Sequence, residues 1–528
     1  MNTQITRHQL YFIQQPVILG LALITSIFLS LGFGVLIIAE ATGPHTYNPN
    51  LNAYAKTTTL ANDVILEDIF DRSLDDTGLI LVDWEGYIAN PAIKFFIKPP
   101  ADATFPATAA LTANGTRLYF DLPSEIGPNG PTKTITFADS STKVPVYLSI
   151  FPDRDTVDEN YLLTIQFQDA QNKQKSATVD IRVIDQDQNQ ASPFKITVDF
   201  SQDQTGFFDD PQKRRLVQQA ADDWAYFIDD MELDRVSAGK ENTWVLNPNN
   251  TPPLTSVTNA APYSGFLLYV LGIHTAELNS RGYADGGLQT SYGAPGLLRR
   301  SGGIGIETAG DYSTLGWFLT TSDDDWWQSK NHKGVNDLYS IVHHEIGHAL
   351  IFHPAHPLFS QALEKGTLED PLVLNYQGSY PHLDSGSHFD GAIDQASQRG
   401  AFGYEYYGPM AQGRTLITKL DLLTAQAIGY KLQPTSAFVP LSIPTGSLPP
   451  GTRFKAYTTI IEAIGGIPFY SWTIESGALP GGLVLDSFTG TITGIPNETG
   501  TFNFTVRVRD YDSVSPGISV PLSITVTD

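Results

Sequence analysis

The chain contains no cysteine. That excludes disulfides, thiolate metal sites, a cysteine nucleophile and latency through a thiolate held on a metal. Basic residues are scarce: 32 Lys and Arg stand against 56 Asp and Glu, a formal net charge of −24. Phosphate backbones repel a chain of that sign, so no nucleic-acid partner is expected. Charged residues of both signs together make up only 17%. Thr, Ser, Asn, Gly and Pro fill the gap, a composition typical of extracellular β-rich proteins. Internal repeats are lacking too. What is present is apolar material, 41% hydrophobic and 11% aromatic in 528 residues. That excludes global disorder and leaves room for three or four cores at roughly 150 residues per domain.

No charged residue lies between His8 and Glu40, and the stretch from Val17 to Ala39 is apolar. At about 1.5 Å per residue it is long enough to span a bilayer as a helix. Its length favours an uncleaved signal-anchor, while Ala39-Glu40-Ala41 fits a small-x-small cleavage site. Arg7 precedes the stretch and Glu40 follows it, which places residues 42–528 outside. Both readings predict an extracellular or cell-surface protein, secreted or attached through this helix.

The rest divides by pattern. Residues 1–41 hold the signal segment and 42–62 read as a linker. Over 63–190 the period is two: Leu163, Ile165 and Phe167 alternate with polar residues, as do Val179, Ile181 and Val183. This predicts a β-sandwich. Over 191–434 strands mix with helices. Asp210-Pro211 opens a helix predicted for 211–230, with Leu216, Ala220, Trp224, Phe227 and Met231 on one face. A second is predicted for 336–353, stopped by Pro354. A third, for 419–428, has Thr418 and Asp421 as a capping box and ends at Gly429. This region reads as an α+β domain. Residues 435–528 return to β, with Phe502, Phe504, Val506 and Val508 alternating.

The chemistry concentrates at His344-Glu345-Ile346-Gly347-His348. On a helix the two histidines lie one turn apart and leave the same face, the spacing of two zinc ligands. Glu345 sits beside the first, where its carboxylate can take a proton from a metal-bound water. An apolar face of Ile341, Leu350 and Ile351 makes so polar a cluster hard to justify without a metal. A catalytic zinc needs a third protein ligand. The residues alone leave His353, His356, His382, His388, Glu364 and Glu369 open. Gly366 and Pro371 argue against a helix carrying either glutamate. His343 points about 100° away from His344 and reads as structural.

Acidic residues also gather in the first β region. Asp153, Asp155, Asp158 and Glu159 lie between two strands, and Asp185 and Asp187 follow the last one. Calcium takes six to eight hard oxygen ligands from such loops. Asp323-Asp324-Asp325 reads as an exposed loop.

Three stretches resemble known families. "IFPDRDTVDENYLLTIQF" and "ATVDIRVIDQD" resemble Calx-β domains, which implies an extracellular β-sandwich with calcium as a possible ligand. "LPGGLVLDSFTGTITGIP" resembles the Ig-like, cadherin-like modules of bacterial surface proteins. The HExxH region is similar to the metzincin zinc peptidases but departs from HExxHxxGxxH: Ile351 and Pro354 stand where the Gly and third His belong. The leishmanolysin-like pattern fits better. There an insertion separates the third His from the helix, and here His388 in "GSHFD" follows His348 by forty residues, with Met410 in "YYGPMAQG" and "ITKLDLLTAQAIGY" behind it. The helix "DDPQKRRLVQQAADDWAYFI" matches the opening helix. The resemblance implies His388 as third zinc ligand, Met410 as the hydrophobic floor of a Met-turn and a polypeptide substrate.

The expected architecture is therefore an N-terminal hydrophobic helix, a β-sandwich, an α+β metzincin-like zinc peptidase domain and an Ig-like β-sandwich. The expected activity is an extracellular zinc endopeptidase with Glu345 as general base. A substrate strand is expected to add to 302–308 or 316–321. Tyr404, Tyr406 and Tyr407 read as packing near Met410. The alternative is a non-enzymatic adhesin on the same scaffold. The intact Glu345 favours the enzyme, because the fold itself does not need it. Without cysteine, any inhibition must come from 42–190, from calcium-dependent stability or from a partner.

Overall fold

The period-two segments form strands, and their burial follows the alternation. The computed structural model describes residues 64–528 except 72–73, 75–77, 121–129, 189–191, 230–234, 246–254, 274–281, 286–299, 309–315, 321–335, 355, 384–387, 390–392, 395–398, 401–413, 468–469 and 511–516. All of them belong to one compact unit, residues 45–528. The apolar stretch Val17–Ala39 and Met410 lie outside the described residues, as do Tyr404, Tyr406, Tyr407 and Asp323–Asp325. Among the described residues no helix is long and apolar enough to cross a membrane.

The first region packs two sheets. One has the order β1 (Ile65–Glu67), β3 (Ile93–Lys98), β7 (Val144–Ile150), β5 (Leu118–Tyr119). The other runs β2 (Leu79–Asp83), β9 (Gln174–Asp185), β8 (Glu159–Gln168), β4 (Ala107–Ala113), β6 (Thr132–Phe137). Strand β4 alternates strictly between buried and exposed, so one face feeds a core shared with Ile165, Phe95 and Leu148. Strands β2 and β9 pair in parallel, with Asp83 opposite Asp185.

The middle region is built on a mixed sheet: β10 (Ile196–Asp199), β11 (Phe266–Ile273), β13 (Ser301–Glu307), β12 (Gly282–Asp285). Strands β10, β11 and β13 are parallel, and β12 closes the far edge antiparallel to β13. Every residue of β11 and β13 is buried, as expected for interior parallel strands covered on both faces. Residues 302–308 are thus no exposed edge, correcting the expectation from sequence; β12 holds that place. Of 316–321, Trp317–Phe318 pairs in parallel with Asn336–Asp337.

Helix α1 (Pro211–Tyr226) starts where Asp210 accepts from Gln212 N. It stops four residues before the expected end because Ile228 bridges to Leu432 and Asp229 N donates to Lys431 O. Helix α2 (Leu338–Leu350) is shorter than expected, since Asn336–Asp337 is consumed by strand pairing and Asp337 becomes its N-cap. Two helices appear where loops were expected: α3 (Pro357–Lys365) and α4 (Pro371–Gln377). Each opens on proline after a capping residue, His356 or Asp370, and each ends at a left-handed glycine, Gly366 or Gly378. Gly366 and Pro371 mark helix boundaries and do not prevent helices; Glu364 lies on α3. Helix α5 (Lys419–Ala427) carries the full Thr418–Asp421 capping box.

One continuous buried core runs from Val64 through the middle region to Ile467. The chain passes 190 without a break in it. The last region is a sandwich with its own core around Trp472, Ile492, Val506 and Ile524. Its sheets pair Gly500–Arg509 with Ile518–Thr527 and Ser471–Gly477, and Thr491–Gly494 with Tyr457–Ile460 and Leu483–Leu485. The chain is a multidomain, mostly β protein with a few helices and a C-terminal Ig-like domain.

Candidate functional site

Helix α2 is fixed from three sides. At its N-terminus buried Asp337 pairs with Arg414, Nε to Oδ2 3.1 Å and Nη2 to Oδ1 3.1 Å. On its flank Trp224 of α1 donates Nε1–H to His343 O at 2.9 Å. At its C-terminus Tyr430 donates its hydroxyl to Leu350 O at 2.6 Å. The apolar face expected from sequence is buried, Ile341 and Leu350 included.

On this helix His344 and His348 lie one turn apart, their ring centroids separated by 4.8 Å. His388 arrives from a loop. Its neighbour Phe389 is buried against Phe352, centroids 5.6 Å apart, and bridges to Leu383. That packing delivers the His388 ring to the helix. One nitrogen from each of His344, His348 and His388 lies within 4.8 Å of the other two. His348 Nε2 and His388 Nε2 are 3.1 Å apart. Tetrahedral coordination with metal–nitrogen bonds of about 2.0–2.1 Å requires ligand nitrogens about 3.3 Å apart. The donor set thus fits a borderline metal such as zinc. His348 Nδ1 lies 2.8 Å from Phe352 O. Donation there fixes the tautomer and leaves Nε2 for a ligand role. Burial, then the imidazoles of His348, His388 and His343, hold His344 well below its ordinary range. It stays in the neutral form that binds metal. Glu345 follows His344 and is 6% exposed.

The other candidates fall away. His343 is buried, stacked on Trp224 and Tyr339, each 5.3 Å away. Burial and the nearby Arg414 push it down to about 3, as suits a structural histidine. His356 caps α3. His382 bridges to Thr367. Glu364 is exposed on α3, and Glu369 pairs with Lys365. None of these, nor His353, belongs to the histidine group.

The acidic cluster assembles differently from its sequence grouping. Asp83, Asp153 and Asp185 are buried with carboxylate oxygens within 4.8 Å of one another. Asp83 had no place in the sequence grouping; the β2–β9 register brings it there. Asp187 is adjacent, its N–H donating to Asp185 Oδ1 at 2.7 Å. Glu159 reaches the cluster through Arg117, which also pairs with Asp83 and Asp153. Asp155 and Asp158 are exposed. Asp155 accepts from Val157 N, and Asp158 accepts from Arg182 and Asp185 N. Asp185 Oδ2, Asp187 Oδ2 and Glu159 Oε2 are buried without a hydrogen-bond partner. Burial, opposed by the Asp187 N–H and reinforced by neighbouring carboxylates, raises Asp185 to about 7. Burial, opposed by the Gly86 N–H, raises Asp187 to about 8. Arg117 counters Asp83, Asp153 and Glu159, while Asp185 and Asp187 add hard oxygens of the kind a calcium-class cation takes.

A family model matches one part of the chain. Residues 437–527 match the family described as "Putative Ig domain". A search of curated proteins gives no match. Among solved structures, 16% of the chain is similar to 17% of a "putative alpha-galactosidase" from Bacteroides fragilis NCTC 9343, at 25% identity and TM-score 0.14. The chain thus spans about a sixth of that relative's length. It is also similar to the periplasmic chaperone SfaE over 46% of this chain and 99% of the other, at 8% identity and TM-score 0.16. A third similarity is to protocadherin gamma B2 extracellular cadherin domains 3–6, over 88% of this chain and 76% of the other, at 10% identity and TM-score 0.15.

Proposed function

We propose that the chain is an extracellular zinc endopeptidase of metzincin type, leishmanolysin-like, with a Calx-β-like sandwich before its catalytic region. The convergence of His344, His348 and His388 carries this reading. These three side chains would hold the metal. When bound, zinc supplies a Lewis acid and a coordinated water of lowered pKa. Glu345 accepts the proton of the attacking water and returns it to the leaving amine. The Phe352 carbonyl keeps the His348 ring oriented. Strand β12, at the outer edge of the sheet and beside α2, is where an extended peptide would add. Calcium at Asp83, Asp153, Asp185 and Asp187 would steady the first sandwich. The N-terminal apolar segment exports the chain and, if kept, anchors it to the membrane.

The test is casein hydrolysis by the purified full chain. Cleavage should stop on chelation and return with zinc. Glu345→Ala should lower it at least about a hundredfold, the lower end of a general base's contribution. Cleavage that survives chelation, or an active Glu345→Ala, would sink the proposal.

A further inference from the structure

We propose that the outer edge of β10 is a second polypeptide-binding site, where an extended segment of alternating acidic and basic residues adds as a strand between Arg214 and Asp199. The site lies at the opposite edge of the sheet from β12 and does not depend on the peptidase reading.

Strand β10 ends the sheet: among the described residues it pairs on one side only, with β11. A groove of about 370 Å³ runs along it, lined by residues 197–201 in succession. Side chains alternate between the two faces of a strand, so a cavity touching neighbour after neighbour follows the edge and not one face. The pairing agrees. Phe266 N donates to Lys195 O at 2.9 Å, and in a parallel pair alternate residues turn their backbone groups to the partner strand. Thr197 and Asp199 therefore face β11, and Val198 turns its N–H and C=O toward the groove. The two walls carry opposite charge. On the helix side Arg214 of α1 lines the groove, its guanidinium 5.1 Å from the Phe200 ring centroid. Its Nε donates to Phe208 O, and Nη2 lies 3.5 Å from Asp209 Oδ1. The side chain is still 47% exposed, and a guanidinium has five N–H groups, enough to take a further carboxylate. The other wall holds Asp199 and the turn 259–263. That turn is preset: Asn259 Nδ2 donates to Ser237 O at 3.0 Å and to Ala261 O at 2.7 Å, and Tyr263 bridges to Val236.

A second observation points the same way. Tyr269 is the register partner of Asp199 and stands on the same face of the sheet. Its hydroxyl is buried without a hydrogen-bond partner, and such groups are rarely left unsatisfied. Burial, then Asp199 and Tyr263 of the groove, push its pKa up. A lysine ammonium entering beside Asp199 supplies a donor to the carboxylate and to this hydroxyl. A strand added along β10 sends successive side chains to opposite walls. Glutamates then meet Arg214 and lysines meet Asp199, while the backbone bonds to Val198. The charges fix the register, because a slip of one residue sets like against like.

The experiment is fluorescence anisotropy of a short labelled peptide of alternating glutamate and lysine with the full chain, under chelation so that no metal-dependent cleavage intrudes. Wild type should bind it at least about tenfold more tightly than an all-glutamate or all-lysine peptide, in which one wall meets its own sign. Arg214→Glu should weaken binding at least about tenfold, and so should Asp199→Lys. The double variant should recover most of the loss, because the peptide slips by one residue and exchanges its faces. Tyr269→Phe should weaken binding about fivefold, within the range of one hydrogen bond. Thermal melts of each variant separate lost binding from lost fold. On wild type alone, the fully N-methylated peptide keeps every charge, loses its backbone donors and should not bind. The proposal is overturned if wild type does not prefer the alternating peptide, if the N-methylated peptide binds as well, or if the folded double variant stays as weak as the singles. A chain that binds this peptide but cleaves no casein would remove the peptidase reading and leave this site standing.

Discussion

Replacing Arg414 by Met should destabilise the chain by about 3–5 kcal/mol, the cost of breaking one side of a buried ion pair. The environment supports the full figure. Arg414 and Asp337 have side chains 0% and 1% exposed. Two N–H groups face the two oxygens of Asp337, each at 3.1 Å. Burial works against the guanidinium charge, and the Asp337 carboxylate together with Tyr87 and Tyr339 more than offsets it, raising the pKa of Arg414. Arg414 Nη2 also donates to Thr320 O at 2.8 Å. Methionine fills much of the volume but leaves a carboxylate in the interior with only the Ser340 hydroxyl, 2.7 Å away, as its described partner beyond Arg414. Urea unfolding followed by circular dichroism gives the difference from the midpoint shift at unchanged slope. The double variant Asp337→Asn with Arg414→Met should cost less than the sum of the singles, because no charge is then stranded. A loss under about 1 kcal/mol for Arg414→Met, the surface range, would refute the claim that this pair is sealed from water.

Two further outcomes follow from the first sandwich. A Cβ on Gly86, held at φ +81°, would lie 2.6 Å from the Tyr226 ring, so Gly86→Ala should lower the melting temperature and loosen α1; an unchanged melt contradicts the close approach. The raised pKa values of Asp185 and Asp187, about 7 and about 8, mean that the calcium-free folded state holds protons the unfolded chain has released. Stability in EGTA should therefore fall as pH rises from about 4 to about 8, and calcium should restore most at the alkaline end. Melts at pH 5, 7 and 9 check this, and a curve unchanged by Asp185→Asn with Asp187→Asn contradicts it.

What the sequence made legible was local. The one-turn spacing of His344 and His348, the caps at Asp210 and Thr418, and the alternation along β8 and β9 depend on neighbours within a few residues. His388 was reached only through family resemblance, because forty residues separate it from His348 and the packing of Phe389 on Phe352 has no sequence period. Asp83 was missed for a similar reason: strand register across the sheet, not chain distance, places it beside Asp185. Conversely, Asp155 and Asp158 looked like cluster members by proximity, yet their side chains serve local turns and Arg182. Helices α3 and α4 were hidden by reading proline and glycine as breakers where they act as first residue and terminator. The continuous core across residue 190 was invisible because composition marks where the pattern changes, not which buried faces meet.

The central claim is that three histidines hold one zinc. The most direct measurement is zinc content of the full chain, wild type beside His388→Ala and Glu345→Ala, after dialysis against a weak chelator. The account predicts one zinc per chain in wild type and in Glu345→Ala, and near none in His388→Ala. Full zinc in His388→Ala, or none in wild type, would contradict it.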